Sequence, residues 1–166
     1  MFFRKKEPTI TKEGIDLIKF FEGCPQEDGM AVSYRCAANK PTIGFGSLHL
    51  IDGSKVQDGM KITLDEAEEL LKHELERFEK DVKELVTVEL NEDQLSSLIA
   101  FTFNVGKTSL SISTLLKKLN ASDYDAVPDQ IRRWNKATVN GKKVVLDGLV
   151  ARREAEALLF QSKPWR

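Results

Sequence analysis

Residues 21–46 read FEGCPQEDGMAVSYRCAANKPTIGFG, and they mark the change from a first helix to a small sheet. Thr11 is a good helix N-cap and Gly23 a good terminator, so we predict a helix that ends at about Glu22. After it, short strand-forming runs alternate with turn residues. We therefore predict a small antiparallel sheet over residues 24–62.

The chain beyond residue 62 has helical patterns. Thr63-Leu64-Asp65-Glu66 is a capping box, and it opens a helix with one apolar stripe and a charged face. Asn91-Glu92-Asp93-Gln94 is a second capping box, whose helix ends at Gly106. Ser113 can cap a short helix through Leu119, and another helix is predicted after Ser122 as far as Trp134. A basic, glycine-containing loop at 136–146 and a last helix at about 148–161 complete the chain. Together these patterns predict an α+β fold that is mostly helical, with a small antiparallel β-sheet.

The length of 166 residues suits one structural domain. We expect residues 1–62 to form an N-terminal arm, the first helix and a β-sheet lobe, and residues 63–166 to form a helical lobe. With 41% hydrophobic and 31% charged residues, the composition is typical of a globular protein and argues against disorder.

The sequence shows neither a membrane span nor an export signal. No apolar run approaches the ~20 residues that a transmembrane helix needs. The basic start MFFRKKEPTITKEG lacks the apolar core of a signal peptide, so we expect no stable membrane insertion. Cys24 and Cys36 are too few for a disulfide framework and are expected as free thiols. No metal-ligand spacing is present, and we expect no metal or cofactor.

Charge is unevenly spread along the chain. Residues 64–85 hold nine acids and four bases, whereas residues 107–166 hold twelve bases and six acids. A basic half suits a polyanion, either a cell-wall polymer or nucleic acid, although two solvated faces that simply differ explain it equally well. Nucleic-acid binding fits poorly because the basic half lacks interleaved aromatic residues. The acidic segment 64–85 also suits the partner surface of a helical interaction module.

Glu22 is the most informative single residue. Ile15, Ile18 and Glu22 share one helix face, so a carboxylate continues a stripe that should point inward. The negative end of the helix dipole and partial burial both favour its neutral form, which a general acid needs. The alternative is a glutamate that turns to solvent or pairs with an arginine, and spacing alone does not decide between them.

The run Pro41-Thr42-Ile43-Gly44-Phe45-Gly46 is the second candidate site. Its two glycines let the backbone bend or let another group approach closely, and the β-branched Thr42 aims its hydroxyl stiffly. The alternative is an ordinary strand that ends at a turn. The run lacks the glycine spacing and the lysine of a phosphate loop.

Seven segments, taken in their order along the chain, resemble the motifs of a known protein family. They are Phe21-Glu22-Gly23, Tyr34-Arg35-Cys36, Thr42-Ile43-Gly44-Phe45-Gly46, Asn91-Glu92-Asp93-Gln94-Leu95, Ala100-Phe101-Thr102-Phe103-Asn104-Val105-Gly106, Ser113-Thr114-Leu115-Leu116 and Gly148-Leu149-Val150-Ala151-Arg152-Arg153-Glu154-Ala155-Glu156. This ordered set resembles the phage-type lysozymes, the endolysins among the glycoside hydrolases, over about residues 11–161. The resemblance implies a lysozyme-like two-lobed fold.

The resemblance also implies an activity. It is hydrolysis of the β-1,4 bond between N-acetylmuramic acid and N-acetylglucosamine in peptidoglycan, which lyses bacteria. By motif position, Glu22 would be the general acid that protonates the leaving oxygen. Cys36 would occupy the second catalytic position, usually an aspartate, and Thr42 would position a water.

By the same matching, Leu48 and Phe103 would line the sugar cleft, and Arg152, rather than Arg153, would support Glu22 by pairing with it. The resemblance implies a monomer that acts on peptidoglycan glycan strands. Such a protein would be made in the host cytoplasm and would reach the wall after the membrane is permeabilised. A catalytically weakened wall-binding relative is the alternative.

The chain departs from the family pattern between the two catalytic positions. Thirteen residues separate Glu22 from Cys36, and Pro25-Gln26-Glu27-Asp28-Gly29 is the extra piece, which a longer hairpin turn would absorb. Glu27 and Asp28 are rival carboxylates there, although solvated turn residues are the preferred interpretation.

Cys36 itself is the other departure. An ordinary thiol has a pKa of about 8.5, so Cys36 would stabilise positive charge poorly unless that pKa were lowered. Three roles for Cys36 remain open. It could act as a nucleophile or as a weak base, or it could take no part and leave the reaction to Thr42 and water. A further hypothesis is that Cys24 and Cys36 form a disulfide that blocks the catalytic position.

Overall fold

The computed structural model describes residues 4–166, which form an α+β fold dominated by helices. The helices are α1 Lys12–Glu22, α2 Leu64–Leu85, α3 Glu92–Val105, α4 Lys107–Ser111, α5 Thr114–Asn120, α6 Val127–Arg132 and α7 Asp147–Phe160. The strands are β1 Gln26–Glu27, β2 Met30–Val32, β3 Tyr34–Arg35, β4 Pro41–Thr42, β5 Lys61–Ile62, β6 Lys136–Val139 and β7 Lys142–Val145. The predicted fold class is confirmed.

The chain divides into two compact units. One, here the β unit, comprises residues 18–77, and the other, here the helical unit, comprises the residues up to 17 together with residues 78–166. These bounds differ from the predicted division after residue 62, because α1 and α2 each run through a unit boundary.

The first residues were expected to form an arm. Residues 4–10 have no helix or strand, and residues 1–3 lie outside the described part of the chain. At the end of the arm, the Ile10 amide donates to Glu79 Oε1 at 2.9 Å. Thr11 then caps α1, because its hydroxyl accepts from the Gly14 amide at 3.1 Å, as predicted.

Short antiparallel strands build the β unit. β1, β2 and β5 form one sheet in that order, and β3 pairs with β4 in another. The extra residues after Gly23 are the β1–β2 hairpin, and Asp28 and Gly29 at its turn have φ of 53° and 75°. Positive φ at both positions suits the tight turns of two-residue hairpins. The prediction that a hairpin turn absorbs the insert is confirmed.

Helix α2 begins as predicted. The Thr63 hydroxyl accepts from the Glu66 amide at 3.0 Å and so caps the first turn. The apolar stripe is buried, with Ala67, Leu71 and Leu75 at most 1% exposed. The helix exists because this stripe is removed from water while charged pairs cover the opposite face.

The core of the helical unit is built around α3, which packs against α7. Its buried apolar side chains are Leu95, Leu98, Ile99, Ala100 and Phe101. The Asn91 capping box is confirmed, with Gln94 amide to Asn91 Oδ1 at 2.8 Å and Asn91 amide to Gln94 Oε1 at 2.9 Å. The helix ends at Gly106, which has φ of 90°, as predicted.

The segment 136–146 is not the predicted loop. It forms the hairpin of β6 and β7 around Asn140-Gly141, whose φ angles are 49° and 77°. Asn-Gly flanked by strand-forming residues is a strong hairpin signal, which the loop prediction did not use.

The helix predicted after Ser122 as far as Trp134 is shorter in the structure. A 3₁₀ turn at Tyr124–Ala126 follows Ser122, and α6 runs only from Val127 to Arg132. Pro128 then sits in the first turn of α6, the one part of a helix that tolerates proline. Over residues 4–166, no helix is both long and apolar enough to span a bilayer.

Candidate active site

Glu22 is the last residue of α1, where its carboxylate is half-buried. Ile15 and Ile18 on the same helix face are 9% and 0% exposed, so the stripe that Glu22 continues does point inward. Gly23 stops the helix with φ of 68°, and its amide donates to the Lys19 carbonyl at 3.0 Å. The predicted helix end is confirmed.

Lys19 anchors this end of α1 within the β unit. Its ammonium lies 3.1 Å from Glu68 Oε2 on α2 and 5.6 Å from the centre of the Phe45 ring. These contacts hold the last turn of α1, which ends at Glu22, beside α2 and beside the glycine-rich turn.

The two glycines around Phe45 have separate roles. Ile43 and Ser47 close the turn with backbone hydrogen bonds of 2.9 and 3.0 Å. A Cβ atom on Gly44 would lie 3.3 Å from the Ala67 Cβ, whereas one on Gly46 would lie 3.9 Å from Glu22 Oε2. Gly44 therefore lets α2 approach, and Gly46 lies beside the Glu22 carboxylate. Their φ angles of 63° and 103° also favour glycine.

The β3–β4 hairpin positions Cys36 and Thr42. Tyr34 pairs with Thr42 across the hairpin, and the Cys36 amide donates to the Lys40 carbonyl at 3.1 Å. The Arg35 guanidinium binds both carboxylate oxygens of Asp58 and so fastens the hairpin to the following loop. Because side chains alternate along each strand, Cys36 and Thr42 are diagonal neighbours on one face of this short hairpin.

Hydrogen bonds favour the thiolate form of Cys36. The Lys40 backbone amide and then the Thr42 hydroxyl lower the pKa of Cys36 below its ordinary value. Thr42 is 1% exposed, and its hydroxyl donates to the Lys40 carbonyl at 2.8 Å. Because a hydroxyl has one proton, Thr42 donates either to that carbonyl or to the Cys36 thiolate.

Tyr34 is a site residue that residue-by-residue sequence reasoning missed. Burial raises the pKa of Tyr34, and the negative charges of Glu22, Cys24 and Cys36 raise it further. The phenol is therefore neutral, and it lies within electrostatic range of all three groups. The available signal was the strand alternation that places Tyr34 two residues before Cys36.

Cys24 lies in a different environment from Cys36. It is half-buried, and burial raises the pKa of Cys24, which the charge of Lys19 opposes. Both cysteines are free thiols in this structure. The disulfide between them stays a hypothesis.

We expect the two thiols to differ in reactivity. Iodoacetamide at pH 7 should alkylate Cys36 roughly tenfold or more faster than Cys24, because the attacking species is the thiolate. Peptide mass spectrometry over a time course measures both rates in one sample. Replacing Thr42 by valine should slow alkylation of Cys36 and leave Cys24 unchanged; equal rates at the two cysteines would contradict the assignment.

The rival carboxylates lie apart from this arrangement. Glu27 is exposed on β1, with Oε1 3.2 Å from the Lys61 ammonium, and Asp28 is exposed at the hairpin turn. Both positions fit the preferred interpretation of solvated residues. Leu48 is half-buried directly after the glycine-rich turn, and its carbonyl accepts from the Val56 amide at 3.0 Å. Its contact with sugar stays a prediction.

Phe103 and Arg152 belong to the helical unit. The Phe103 ring packs edge-on against Phe78, with 5.2 Å between ring centres. Arg152 is 4% exposed and donates to Glu156 Oε1 at 3.0 Å and to the Ala100 carbonyl at 3.1 Å. The roles of Phe103 at the sugar and of Arg152 at Glu22 stay predictions.

The β unit thus holds a carboxyl, a thiol, a hydroxyl and a phenol in one region. Such groups can donate a proton, accept one and orient a water molecule. Within residues 4–166, no cluster of three or more His, Cys, Asp or Glu side chains has the arrangement of a metal site.

Comparison with known proteins gives consistent matches. The family described as phage lysozyme matches residues 19–156. An endolysin of Acyrthosiphon pisum secondary endosymbiont phage 1 is 35% identical over 92% of this chain and 98% of its own length. The endolysin of Salmonella phage P22 is 37% identical over 92% of this chain and 98% of its own length. The solved endolysin of Escherichia coli O157:H7 phage FAHEc1 is 35% identical, with a TM-score of 0.84 over 97% of this chain and 99% of its own.

Proposed function

This chain belongs to the phage lysozyme family, and we propose that Glu22, Cys36 and Thr42 carry out its hydrolytic reaction. As a member of that family it is an endolysin, a muramidase-type glycoside hydrolase that cleaves peptidoglycan and acts on the bacterial cell wall.

One observation supports the proposal above the others. The half-buried Glu22 carboxylate lies beside the Gly46 backbone, in the same unit as a cysteine whose pKa is lowered and a threonine hydroxyl next to it. A carboxyl acid near a second, basic group is the arrangement that glycoside hydrolysis uses.

In the proposed reaction, Glu22 donates its proton to the glycosidic oxygen as the bond from that oxygen to the sugar carbon breaks. Positive charge develops on the sugar ring. Thr42 holds a water molecule for attack on that carbon, and the Cys36 thiolate accepts the proton that the water loses. Proton return from Cys36 to Glu22 through solvent restores the starting state.

The bond cleaved is proposed to be the β-1,4 bond between N-acetylmuramic acid and N-acetylglucosamine. We infer that the enzyme works as a monomer on glycan strands and does not act on nucleic acid. We also infer that it is made in the host cytoplasm and reaches the wall through a membrane lesion.

Thr42→Val should lower kcat on purified peptidoglycan by roughly 10²-fold, a typical size for losing one water-positioning or proton-transfer group. Valine keeps the shape of threonine but has no hydroxyl for the water or for Cys36. Release of reducing sugar ends, with the ends identified chemically, measures both rate and bond.

Thr42→Ser is the matched control and should keep most of the activity, because it retains the hydroxyl. The valine variant also lacks the hydrogen bond to the Lys40 carbonyl, and this loss should lower its free energy of unfolding by only about 1 kcal/mol. A Thr42→Val enzyme as active as the Thr42→Ser enzyme would remove Thr42 from the mechanism.

A further inference from the structure

The β6–β7 hairpin is an exposed element of the helical unit. Every residue of β7 is exposed, and so are three of the four residues of β6. Its large exposed apolar side chains, with those that follow it, are Val139 at 44%, Val144 at 37%, Val145 at 53%, Leu146 at 37% and Val150 at 42%. Aliphatic side chains concentrated in one protruding segment indicate a surface that contacts something outside the chain.

The register gives each face of the hairpin both apolar and cationic groups. Val145 lies opposite Lys136 on one face, and Val139 lies opposite Lys142 on the other. Lysine can lay its apolar stem along a hydrophobic surface and keep its ammonium in water. Each face of the hairpin therefore presents an exposed valine beside an ammonium group, a combination that suits a surface with both apolar and anionic groups.

The charge of this segment has one sign. Residues 135–146 contain three lysines and no acid, and the exposed Arg133 precedes them. The acidic groups of the neighbouring helices are partly neutralised, since Arg132 pairs with Asp129 at 2.9 Å and with Glu154 at 2.7 Å. The next acidic residue in the chain is Asp147, which is the first residue of α7 and lies outside the segment.

We propose that the β6–β7 hairpin is a peripheral binding element for anionic phospholipid bilayers. Valines that enter the interfacial region leave water, and the lysines meet the negative surface potential of the leaflet. A glycan strand is mostly polar and offers the valines far less apolar surface than a bilayer does. A second copy of the hairpin would bring lysines against lysines, and such like-charge contact is unfavourable.

The test is cosedimentation of the whole protein with lipid vesicles. We expect binding to vesicles of about 30% phosphatidylglycerol in phosphatidylcholine and little to phosphatidylcholine alone. Binding should fall as salt rises from about 0.05 M to about 0.5 M, because salt screens the lysines. Lys142→Glu with Lys143→Glu should lower the apparent partition coefficient at least about tenfold, and Val145→Asp should lower it about fivefold or more.

Control variants carry the same types of substitution at exposed positions outside the hairpin, so they show whether the position of the change matters. Lys117→Glu with Lys163→Glu makes the same charge change at exposed lysines elsewhere, and Ile112→Asp makes the same apolar change at a side chain that is 80% exposed. These variants should bind about as the parent does. Thermal unfolding and lipid-free peptidoglycan hydrolysis should be unchanged in all of them, so a failure of this inference is distinct from a failure of the catalytic assignment.

Three results would overturn the proposal. One is equal binding to neutral and anionic vesicles, and another is equal loss of binding in the hairpin variants and the controls. The third is self-association through the hairpin with no lipid binding, which ultracentrifugation of the same samples detects.

Discussion

Glu22→Gln should reduce kcat on purified peptidoglycan by roughly 10²–10⁴-fold, the range expected for loss of a positioned general acid. Glutamine has nearly the same shape but no proton to give to the leaving oxygen. A thermal unfolding curve of the variant separates a loss of chemistry from a loss of folded protein. The measurement is release of reducing sugar ends under saturating substrate, together with a thermal unfolding curve.

Glu27→Gln is the matched control for this experiment. It makes the same chemical change on the exposed β1 strand of the same unit, at the rival carboxylate paired with Lys61. We expect activity within about twofold of the parent, since a surface ion pair contributes little. If Glu27→Gln abolished hydrolysis while Glu22→Gln did not, the assignment of the acid would be reversed.

The Glu22→Gln variant also separates the alternative functions. A catalytically weakened wall-binding protein would bind permeabilised cells without clearing them, with or without Glu22. A helical interaction module acting through the acidic residues 64–85 would be unaffected by this substitution. Loss of clearing with retained binding to peptidoglycan is the result that the proposed mechanism predicts.

Glu156→Gln should destabilise the fold by about 3–5 kcal/mol, the typical cost of removing one partner from a buried ion pair. Glu156 is fully buried, and its oxygens lie 3.0 Å from Arg152 Nε and 2.7 Å from an Arg153 terminal nitrogen. Burial raises the pKa of Glu156, and the charges of Arg153 and Arg152 oppose that shift. Neutral glutamine would remove the negative charge that both buried guanidinium groups bind.

Denaturant unfolding followed by circular dichroism measures this loss, which should correspond to a fall in Tm of roughly 6–20 °C. Glu154→Gln is the control, because Glu154 is two residues away on α7 and pairs with Arg132 at the surface. We expect that control to cost less than about 1 kcal/mol. Equal effects at the two positions would mean that the buried triad does not hold α7 in place.

Much of the fold was predictable because its signals are local. N-caps at Thr11, Thr63, Asn91 and Ser113 each begin a helix, and the glycines after α1 and α3 end one. These effects act within four residues, so the order of side chains along the chain is sufficient to predict them. The Asn140-Gly141 signal for the β6–β7 hairpin is equally local, although the segment was predicted as a loop.

The candidate site was predictable in part. The motifs identified Glu22, Cys36 and Thr42 as candidates, but not the raised pKa of Tyr34 or the lowered pKa of Cys36. Both depend on which backbone amides and hydroxyls the β3–β4 hairpin directs toward one sulfur atom. A hydrogen bond of that kind varies with tenths of an ångström, which residue spacing does not specify.

The sequence by itself determined the fold class, the helix ends and the family, because capping, periodicity and ordered motifs are properties of neighbouring residues. Only the tertiary structure decided that Gly46 lies beside the Glu22 carboxylate and that one buried glutamate serves two arginines. Gly46 and Glu22 are far apart in the chain, and only folding brings them together. Glu156 and the two arginines are neighbours on α7, but their burial depends on the packing of α7 against α3. Packing of that kind removes charged groups from water, so they become stable only when other polar groups bind them.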